Sequence, residues 1–242
     1  MAEPVTPEAP ILPRPRILRQ TWLDLSFLHW AVEPASIAHL YPPGTEPDTF
    51  EGSSFVGMVP FRMSLFSRFL ETNVRLYSMD RTGRRGVVFL SLDTNGFGML
   101  AAGRWIVGVP YRWARMDYRA DQDRRVYTST LRWPGVTGSS RVEVKVGEPL
   151  TSGPLEHFLT ARWGAHVVRV GRTWYLPNEH SVWPLRRAEL IDFEDDGLLA
   201  SVGLGDLGKR PPDHVTFSDG VAARFGLPVR ATTPRAVRPP TR

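Results

Sequence analysis

Apolar and polar residues alternate along several stretches of this chain, and such alternation predicts β-strands. Within residues 71–79, Asn73, Arg75 and Tyr77 alternate with apolar residues, so these three side chains share one face of the predicted strand. Residues 87–92 form a nearly unbroken apolar run, which indicates a strand that is covered on both faces. A turn with two glycines separates the two stretches, so together they predict a hairpin.

The rest of the chain continues this pattern with few helices. Residues 22–32 fit neither period cleanly, so a buried strand and a short helix both stay open. Residues 154–163 have helical spacing with a proline in the first turn, and a second short helix begins at Pro34. Residues 50–63 are predicted as a strand pair or one long strand, and further strands are predicted at residues 112–118, 124–132, 141–146, 165–176 and 185–193. We therefore expect an α+β domain built on antiparallel sheets or a barrel.

Charge and proline content suggest two flanking segments around one domain. We assign residues 1–19 to a proline-rich lead-in, 20–205 to the domain and 206–242 to a basic, proline-rich tail. Residues 222–242 hold five arginines and no acid, so the other residues balance at 25 basic against 25 acidic. The net charge of +5 comes from this end of the chain, which we expect to be disordered. This distribution argues against a nucleic-acid-binding surface on the folded domain.

Several classes of protein are disfavoured by what the sequence lacks. The chain has no cysteine, which excludes disulfides and thiolate metal sites, and its six histidines are scattered. We therefore predict no metal and no cofactor. No apolar run reaches the roughly 18 residues of a membrane span, and the acidic, proline-rich start is unlike a secretory signal. We expect a soluble, cytoplasmic protein.

One apparent nucleotide-binding motif can be set aside. Residues 203–209 match the pattern G-x-G-x-x-G, which binds phosphate where a helix begins directly after the glycines. Pro211 and Pro212 follow at once, so no helix can begin there. A glycine-rich loop that leads into the tail is the better interpretation.

A series of short motifs, in the same order along the chain, resembles a known family. The motifs are Trp22–Trp30, Tyr41–Gly44, Asp48–Gly52, Val59–Phe61, Asn73–Tyr77, Phe89–Asp93, Leu159–Arg162 and His180–Leu185. The family that they resemble is the YqjF-like family of uncharacterised bacterial proteins. The resemblance runs from about residue 20 to about residue 200.

That family is similar in turn to the acetoacetate decarboxylase superfamily. The resemblance implies antiparallel sheets curled into a barrel-like body around an apolar pocket, in a chain that can form a homo-oligomer. In the decarboxylases, a segment Gly-Arg-Glu-x-x-Gly-x-Pro-Lys-Lys carries the Schiff-base lysine directly after the proline. Residues 103–112 resemble this segment, but Tyr111 stands at the lysine position and Arg112 follows it.

The decarboxylase reaction depends on an amine, because the lysine attacks a ketone to form an iminium ion. Tyrosine cannot form an imine, and arginine stays protonated. The chain has two lysines, Lys145 on the outward face of a predicted strand and Lys209 near the tail. The sequence therefore argues against acetoacetate decarboxylase activity.

The remaining candidates for a site are polar residues around the predicted pocket. Arg104 can hold a carboxylate or phosphate, and Tyr111 can donate a hydrogen bond or act as a weak acid. Arg75 and Tyr77 share one face of a neighbouring strand, and His29 lies in apolar surroundings. Ordinary ion pairing and packing remain open for Arg104 and Tyr111, as does a structural role for His29.

Three functional hypotheses follow from these residues. The first is that the pocket binds a small organic ligand, a carboxylate or carbonyl compound, without Schiff-base chemistry. The second is a lyase- or hydratase-type enzyme that uses Tyr111 and His29 as acid and base, with Arg104 as the substrate anchor. The third is a structural or interaction protein with a vestigial pocket. The sequence does not decide whether the protein is an enzyme.

Overall fold

The computed structural model describes residues 2–12, 14–65, 67–96, 98 and 108–231. Its described residues form one sheet of 13 strands. The strands are β1 Leu18–Val32, β2 Thr45–Pro47, β3 Ser54–Ser64, β4 Arg68–Asp80, β5 Arg85–Thr94, β6 Tyr111–Asp121, β7 Arg124–Leu131, β8 Ser139–Pro149, β9 Gly164–Arg169, β10 Arg172–Glu179, β11 Leu185–Asp196, β12 His214–Phe225 and β13 Val229–Arg230. Residues 22–32, for which the sequence left a strand and a short helix open, belong to strand β1.

Helices are short in the described part of the chain. The α-helices are α1 Pro34–Ile37 and α2 Pro154–Thr160, and the 3-10 helices are Ala38–Leu40, Ala200–Val202 and Leu207–Lys209. Each α-helix begins with a proline, whose fixed φ suits the first turn. Glu156 accepts a hydrogen bond from the Gly153 N–H at 2.7 Å and so caps α2. None of the helices in the described ranges has the length and apolar character that a bilayer crossing requires.

The sheet is mixed, which corrects part of the predicted architecture. Most neighbours are antiparallel, including the predicted β4–β5 hairpin, but β5 runs parallel to β6 and to β9. The strand order is β13-β10-β9-β5-β6-β7-β8-β11-β12-β1-β3-β4-β2, with further pairings of β10 with β12 and of β5 with β4. The predicted antiparallel architecture is therefore confirmed only in part, and the barrel stays a prediction.

Strands β1, β3, β4 and β5 separate two apolar interiors, the first formed by one cluster of buried residues and the second by two. In β4, Val74 and Leu76 pack into one interior with residues of β7 and β8. Tyr77 packs into the other interior with α2 and β9, and Arg75 points to the same side. The predicted division of this strand into two faces is confirmed. Alternation along these four strands therefore decides which side chains can meet a ligand.

The assignment of residues 206–242 to a tail is wrong where the structure describes them. Strand β12 pairs with β1 from Leu18 opposite Phe225 to His29 opposite His214, and it also pairs with β11. Phe217 within it is fully buried. Proline and arginine content near the end of the chain concealed a strand in the middle of the sheet.

Two of the distant sequence motifs meet at a buried ion cluster. Asp48 accepts hydrogen bonds from Arg85 and Arg162, and the side chains of Asp48 and Arg162 are only 3% and 4% exposed. The Arg162 guanidinium also lies over the ring of Tyr77, 4.9 Å from its centroid. The cluster therefore ties the segment before β3 to the end of α2 and supports one wall of the second interior.

Candidate ligand-binding cavity

The second interior contains a cavity of about 150 Å³. Strands β1, β3, β4 and β5 supply its long walls, and β6, β9, β10 and β12 contribute one or two residues each. Among the described residues, the lining is mostly aliphatic and aromatic and contains no lysine. Its polar side chains are Gln20, Glu71, Asn73, Arg75, Tyr111 and Asn178. A few polar side chains in an otherwise apolar cavity are typical of a site that binds a small molecule.

Tyr111 and Glu71 form a buried hydrogen-bonded pair on one wall. The Tyr111 hydroxyl group donates to Glu71 Oε2 at 2.9 Å. Burial raises the pKa of Glu71 to about 8, although the hydrogen bond from Tyr111 opposes this. Burial and the neighbouring Glu71 raise the pKa of Tyr111 well above its ordinary range. At neutral pH the pair is therefore largely uncharged, and Glu71 can donate as well as accept hydrogen bonds.

This carboxyl group should make the protein less stable as the pH rises. Unfolded, Glu71 loses its proton near its ordinary pKa of 4.5; folded, it keeps the proton up to about pH 8. The unfolded chain then binds fewer protons, so the stability present at low pH is lost between these values, by about 1 kcal/mol per pH unit. We expect Glu71→Gln to flatten this decline in urea unfolding between about pH 5 and pH 8. Equal slopes for the two proteins would contradict the shifted pKa.

Arg75 points into the cavity without an acidic partner among the described residues. Its Nη2 donates to the Tyr77 hydroxyl at 3.1 Å and to the Leu159 carbonyl at 3.4 Å, and its Nε is buried without a hydrogen-bond partner. The ring of Phe27 lies 5.6 Å from the guanidinium. A partly desolvated cation that retains an unused donor is suited to bind an anion.

Gly57 makes room for this guanidinium. It is paired with His29 on one side and with Arg75 on the other. A Cβ atom at this position would lie 3.2 Å from Arg75 Nε and 3.3 Å from the Tyr77 hydroxyl. The missing side chain therefore lets Arg75 fold back over β3 toward Tyr77.

His29 and Tyr77, which we predicted as ligand-binding residues, are not among the residues that line the cavity. Both are fully buried. His29 Nε2 lies 2.7 Å from the Tyr77 hydroxyl, which in turn contacts Arg75. Tyr77 therefore contacts Arg75 directly, and His29 acts on Arg75 only through Tyr77. Tyr111 is hydrogen-bonded to Glu71 and His29 to Tyr77, and the acid–base pair of Tyr111 and His29 stays a prediction.

The other candidates lie elsewhere or outside the description. Arg104 falls outside the described residues. Arg112 forms a buried two-bond ion pair with Asp93, at 2.6 and 2.9 Å, and does not line the cavity. The side chains of Lys145 and Lys209 are 50% and 78% exposed and lie near acidic residues. The predicted outward position of Lys145 is confirmed.

Sequence reasoning did not name Glu71 or Asn73 as site residues, although it placed Asn73 on the face of Arg75 and Tyr77. Both belong to the same alternation as Arg75 and Tyr77, so extending that face by one residue would have found Glu71. The amide oxygen of Asn73 is buried without a hydrogen-bond partner and is a further polar group for a ligand. The alternation shows that Glu71 shares a face with Arg75, but the burial of Glu71 and its contact with Tyr111 depend on the fold.

Comparison with known proteins identifies the family of this chain. Residues 19–222 match the model of DUF2071, described as an uncharacterized conserved protein. The chain belongs to the DUF2071 family. Within it, the uncharacterized protein YqjF of Bacillus subtilis (strain 168) is 28% identical over 186 residues, which cover 72% of this chain and 76% of YqjF. The predicted family resemblance is confirmed.

Solved structures with the same fold extend the comparison. An acetoacetate decarboxylase from Legionella pneumophila is 14% identical with a TM-score of 0.60, covering 93% of each chain. An acetoacetate decarboxylase-like enzyme from Sphingomonas wittichii RW1 is 12% identical with a TM-score of 0.62, covering 90% of this chain and 93% of its own. The enduracididine biosynthesis enzyme MppR, complexed with pyruvate, is 14% identical with a TM-score of 0.60, covering 91% and 92%. At these identities the DUF2071 protein shares their fold alone.

Proposed function

We propose that this DUF2071 protein binds a small carboxylate or carbonyl compound in the cavity beside Arg75, without Schiff-base chemistry. The observation that carries the proposal is the Arg75 guanidinium, which faces an apolar cavity and has no acidic partner among the described residues. A carboxylate would supply the missing charge and accept from the unused donor. Arg104, the anchor expected from the sequence, stays a prediction.

The cavity offers a second recognition point for the same ligand. The neutral pair of Glu71 and Tyr111 can hydrogen-bond a carbonyl oxygen, and the apolar walls can hold a short carbon chain. The structural neighbour MppR is complexed with pyruvate, which has both a carboxylate and a carbonyl group. Pyruvate is therefore the first probe to use.

A thermal-shift measurement with pyruvate, acetoacetate and the uncharged pyruvamide tests the proposal. Ligand that binds only the folded protein stabilises it by about 2.7 kcal/mol at a hundred times its Kd. We expect the carboxylates to raise the Tm and pyruvamide to have little effect. An equal shift with pyruvamide would remove the role of charge, and no shift with any of the three would refute binding of this ligand class.

Reduction with borohydride in the presence of acetoacetate tests the absence of a Schiff base. Both lysines lie outside the cavity and are exposed, so neither should have the desolvated amine that forms an imine readily at neutral pH. We expect the intact mass of the protein to remain unchanged. A reduced adduct on Lys145 or Lys209 would contradict the proposal, and peptide mapping would identify it.

Acid–base catalysis on the same ligand is a second candidate, favoured by Glu71. Its raised pKa of about 8 lies near neutral pH, where a proton acceptor and donor works best. Such an enzyme would exchange the methyl hydrogens of pyruvate for deuterium in heavy water, which proton NMR detects. Exchange no faster with the wild type than with Glu71→Gln would exclude this role.

A further inference from the structure

Asn73 places a buried amide in the cavity lining between two other polar side chains. It lies on β4 two residues from Glu71 and two residues from Arg75, and all three line the cavity. Asn73 is only 6% exposed, and its Oδ1 is buried without a hydrogen-bond partner. Nothing in the proposed function so far makes use of this amide.

The neighbouring strands explain why this oxygen has no partner. Asn73 is paired with Val59 in β3 and with Leu92 in β5. Directly opposed residues of paired strands share a face, and both of these apolar side chains also line the cavity. A buried amide oxygen that gains no hydrogen bond on folding costs stability, which a leucine or valine here would not. We therefore look for the partner of Asn73 in what the cavity holds.

A ligand can satisfy Asn73 Oδ1 only with a hydrogen-bond donor. A carboxylate and a ketone have acceptors alone, so a simple keto acid leaves this oxygen unpaired. The common donors on small organic acids are hydroxyl and ammonium groups. The positive charge of Arg75 repels an ammonium group, and Glu71, whose pKa burial raises to about 8, is largely uncharged at neutral pH and does not offset that repulsion. The described lining therefore favours a hydroxyl group beside Asn73.

The spacing of Asn73 and Arg75 determines where on the ligand this hydroxyl group stands. A strand rises about 3.3 Å per residue, so the two side chains leave β4 roughly 6.6 Å apart. The guanidinium leans further away, because Arg75 Nη2 donates at 3.1 Å to Tyr77, which lies on the other side of Arg75 from Asn73. A hydroxyl group on the carbon next to the carboxylate is too close to span this gap, whereas one on the fourth carbon of an extended chain can span it.

The size of the cavity agrees with such a chain. A cavity of about 150 Å³ has room for a molecule about as large as benzene. An acid of about five carbons is of that order. Its carbon chain would lie against the side chains of Val59 and Leu92, which flank Asn73 and line the cavity.

We propose that the cavity is specific for a 4-hydroxycarboxylate, whose carboxylate pairs with Arg75 and whose hydroxyl group donates to Asn73. The inference rests on the proposed function, because it requires a carboxylate beside Arg75. It goes further by naming the second polar group of the ligand and the residue that recognises it. The side-chain torsion of an asparagine amide is soft, so Asn73 can turn its oxygen toward the hydroxyl group.

Titration calorimetry with five-carbon acids tests this specificity on the wild type. The acids are pentanoate, both enantiomers of 4-hydroxypentanoate, 2-hydroxypentanoate, 4-oxopentanoate and 4-aminopentanoate. We expect one enantiomer of 4-hydroxypentanoate to bind about 3- to 10-fold more tightly than pentanoate, which is the effect of one net hydrogen bond. The isomer, the ketone and the amine should bind less tightly than this enantiomer. If any of these three binds at least as tightly, the specificity is refuted.

Asn73→Leu should abolish the preference for 4-hydroxypentanoate over pentanoate and leave the affinity for pentanoate nearly unchanged. Leucine is similar in size and removes the unpaired amide, so the fold should be retained, which urea unfolding checks. The matched control is Asn178→Leu, which makes the same change on β10, where Oδ1 also lies in the lining without a partner. A preference that survives Asn73→Leu, or one that disappears in Asn178→Leu, would rule out Asn73 as the residue that recognises the hydroxyl group.

The results separate this inference from the proposed function. If pentanoate and both enantiomers of 4-hydroxypentanoate bind with the same affinity, the hydroxyl specificity fails and the anion site at Arg75 stands. If none of the acids binds, and pyruvate does not bind either, the proposed function and this inference fail together. The comparison of ligands on the wild type decides the specificity without any variant.

Discussion

Replacing Asp48 with alanine should lower the free energy of unfolding by about 3–5 kcal/mol. Asp48 is the carboxylate that neutralises Arg162, whose side chain is 4% exposed. Without it, the Arg162 charge stays buried beside Tyr77 and Phe158 with no acid among its described contacts. Losing one partner of a buried pair costs far more than the pair contributes, because the other charge cannot return to water.

Urea unfolding at neutral pH measures this effect. The control is Asp123→Ala, which removes a half-exposed carboxylate 3.9 Å from Lys145. An exposed pair of that kind contributes less than about 1 kcal/mol. A similarly small loss for Asp48→Ala would show that Arg162 finds water or another partner, and would remove the ion cluster as a support of the cavity wall.

Replacing Arg75 with methionine should weaken pyruvate binding by about 10- to 100-fold, since hydrogen bonds to a charged group contribute about 1.5–3 kcal/mol each. Methionine keeps an unbranched side chain beside Phe27 and Tyr77 but removes the charge. Stability should not fall in parallel, because Arg75 has no acidic partner among the described residues to be left unpaired.

Titration calorimetry and urea unfolding on the same samples separate the two effects. Arg62→Met is the matched control, because Arg62 lies in β3, pairs with Asp24 and does not line the cavity. Unchanged affinity in Arg75→Met would move the anion site elsewhere, with Arg104 as the next candidate. Equal losses in the two variants would indicate a general effect of removing positive charge.

Local patterns predicted the strands well where one face of a strand is apolar. The alternation of β4 and of residues 141–146 in β8 gave the correct faces, and the apolar run of β5 correctly indicated burial on both sides. Strand β12 was missed because Asp219 and Gly220 interrupt its alternation, near the proline-rich end of the chain. The parallel pairing of β5 with β6 depends on contacts between strands, which no local pattern contains.

Of the candidate site, the sequence predicted only features that lie within a single strand or follow from residue counts. Arg75 and Tyr77 followed from alternation, and the missing amine followed from counting lysines. The position of His29 behind Tyr77, and the pairing of Tyr111 with Glu71, depend on register between distant strands. The space that Gly57 leaves for Arg75 could not be predicted, because the sequence does not show which neighbouring side chain packs against a glycine.

The family motifs acquire a physical meaning from these contacts. The segment that begins at Asp48 and the segment that ends at Arg162 meet in the buried ion cluster. Within the last motif, Trp183 lines the cavity and His180 packs between Trp163 and Trp183. Burial lowers the pKa of His180 to about 4, so it is neutral at physiological pH. Of the motif residues named here, Trp183 lines the cavity itself, and three of the six polar side chains in the described lining lie on β4.

Strands β1, β3, β4 and β5 present different residues to two separate interiors. A substitution on the cavity side changes what the protein can hold, while the opposite face keeps the contacts that fold the domain. Positions that line the cavity can therefore change with less loss of packing than positions that fill the opposite interior. That independence offers a physical reason why proteins of one architecture can differ so widely in chemistry.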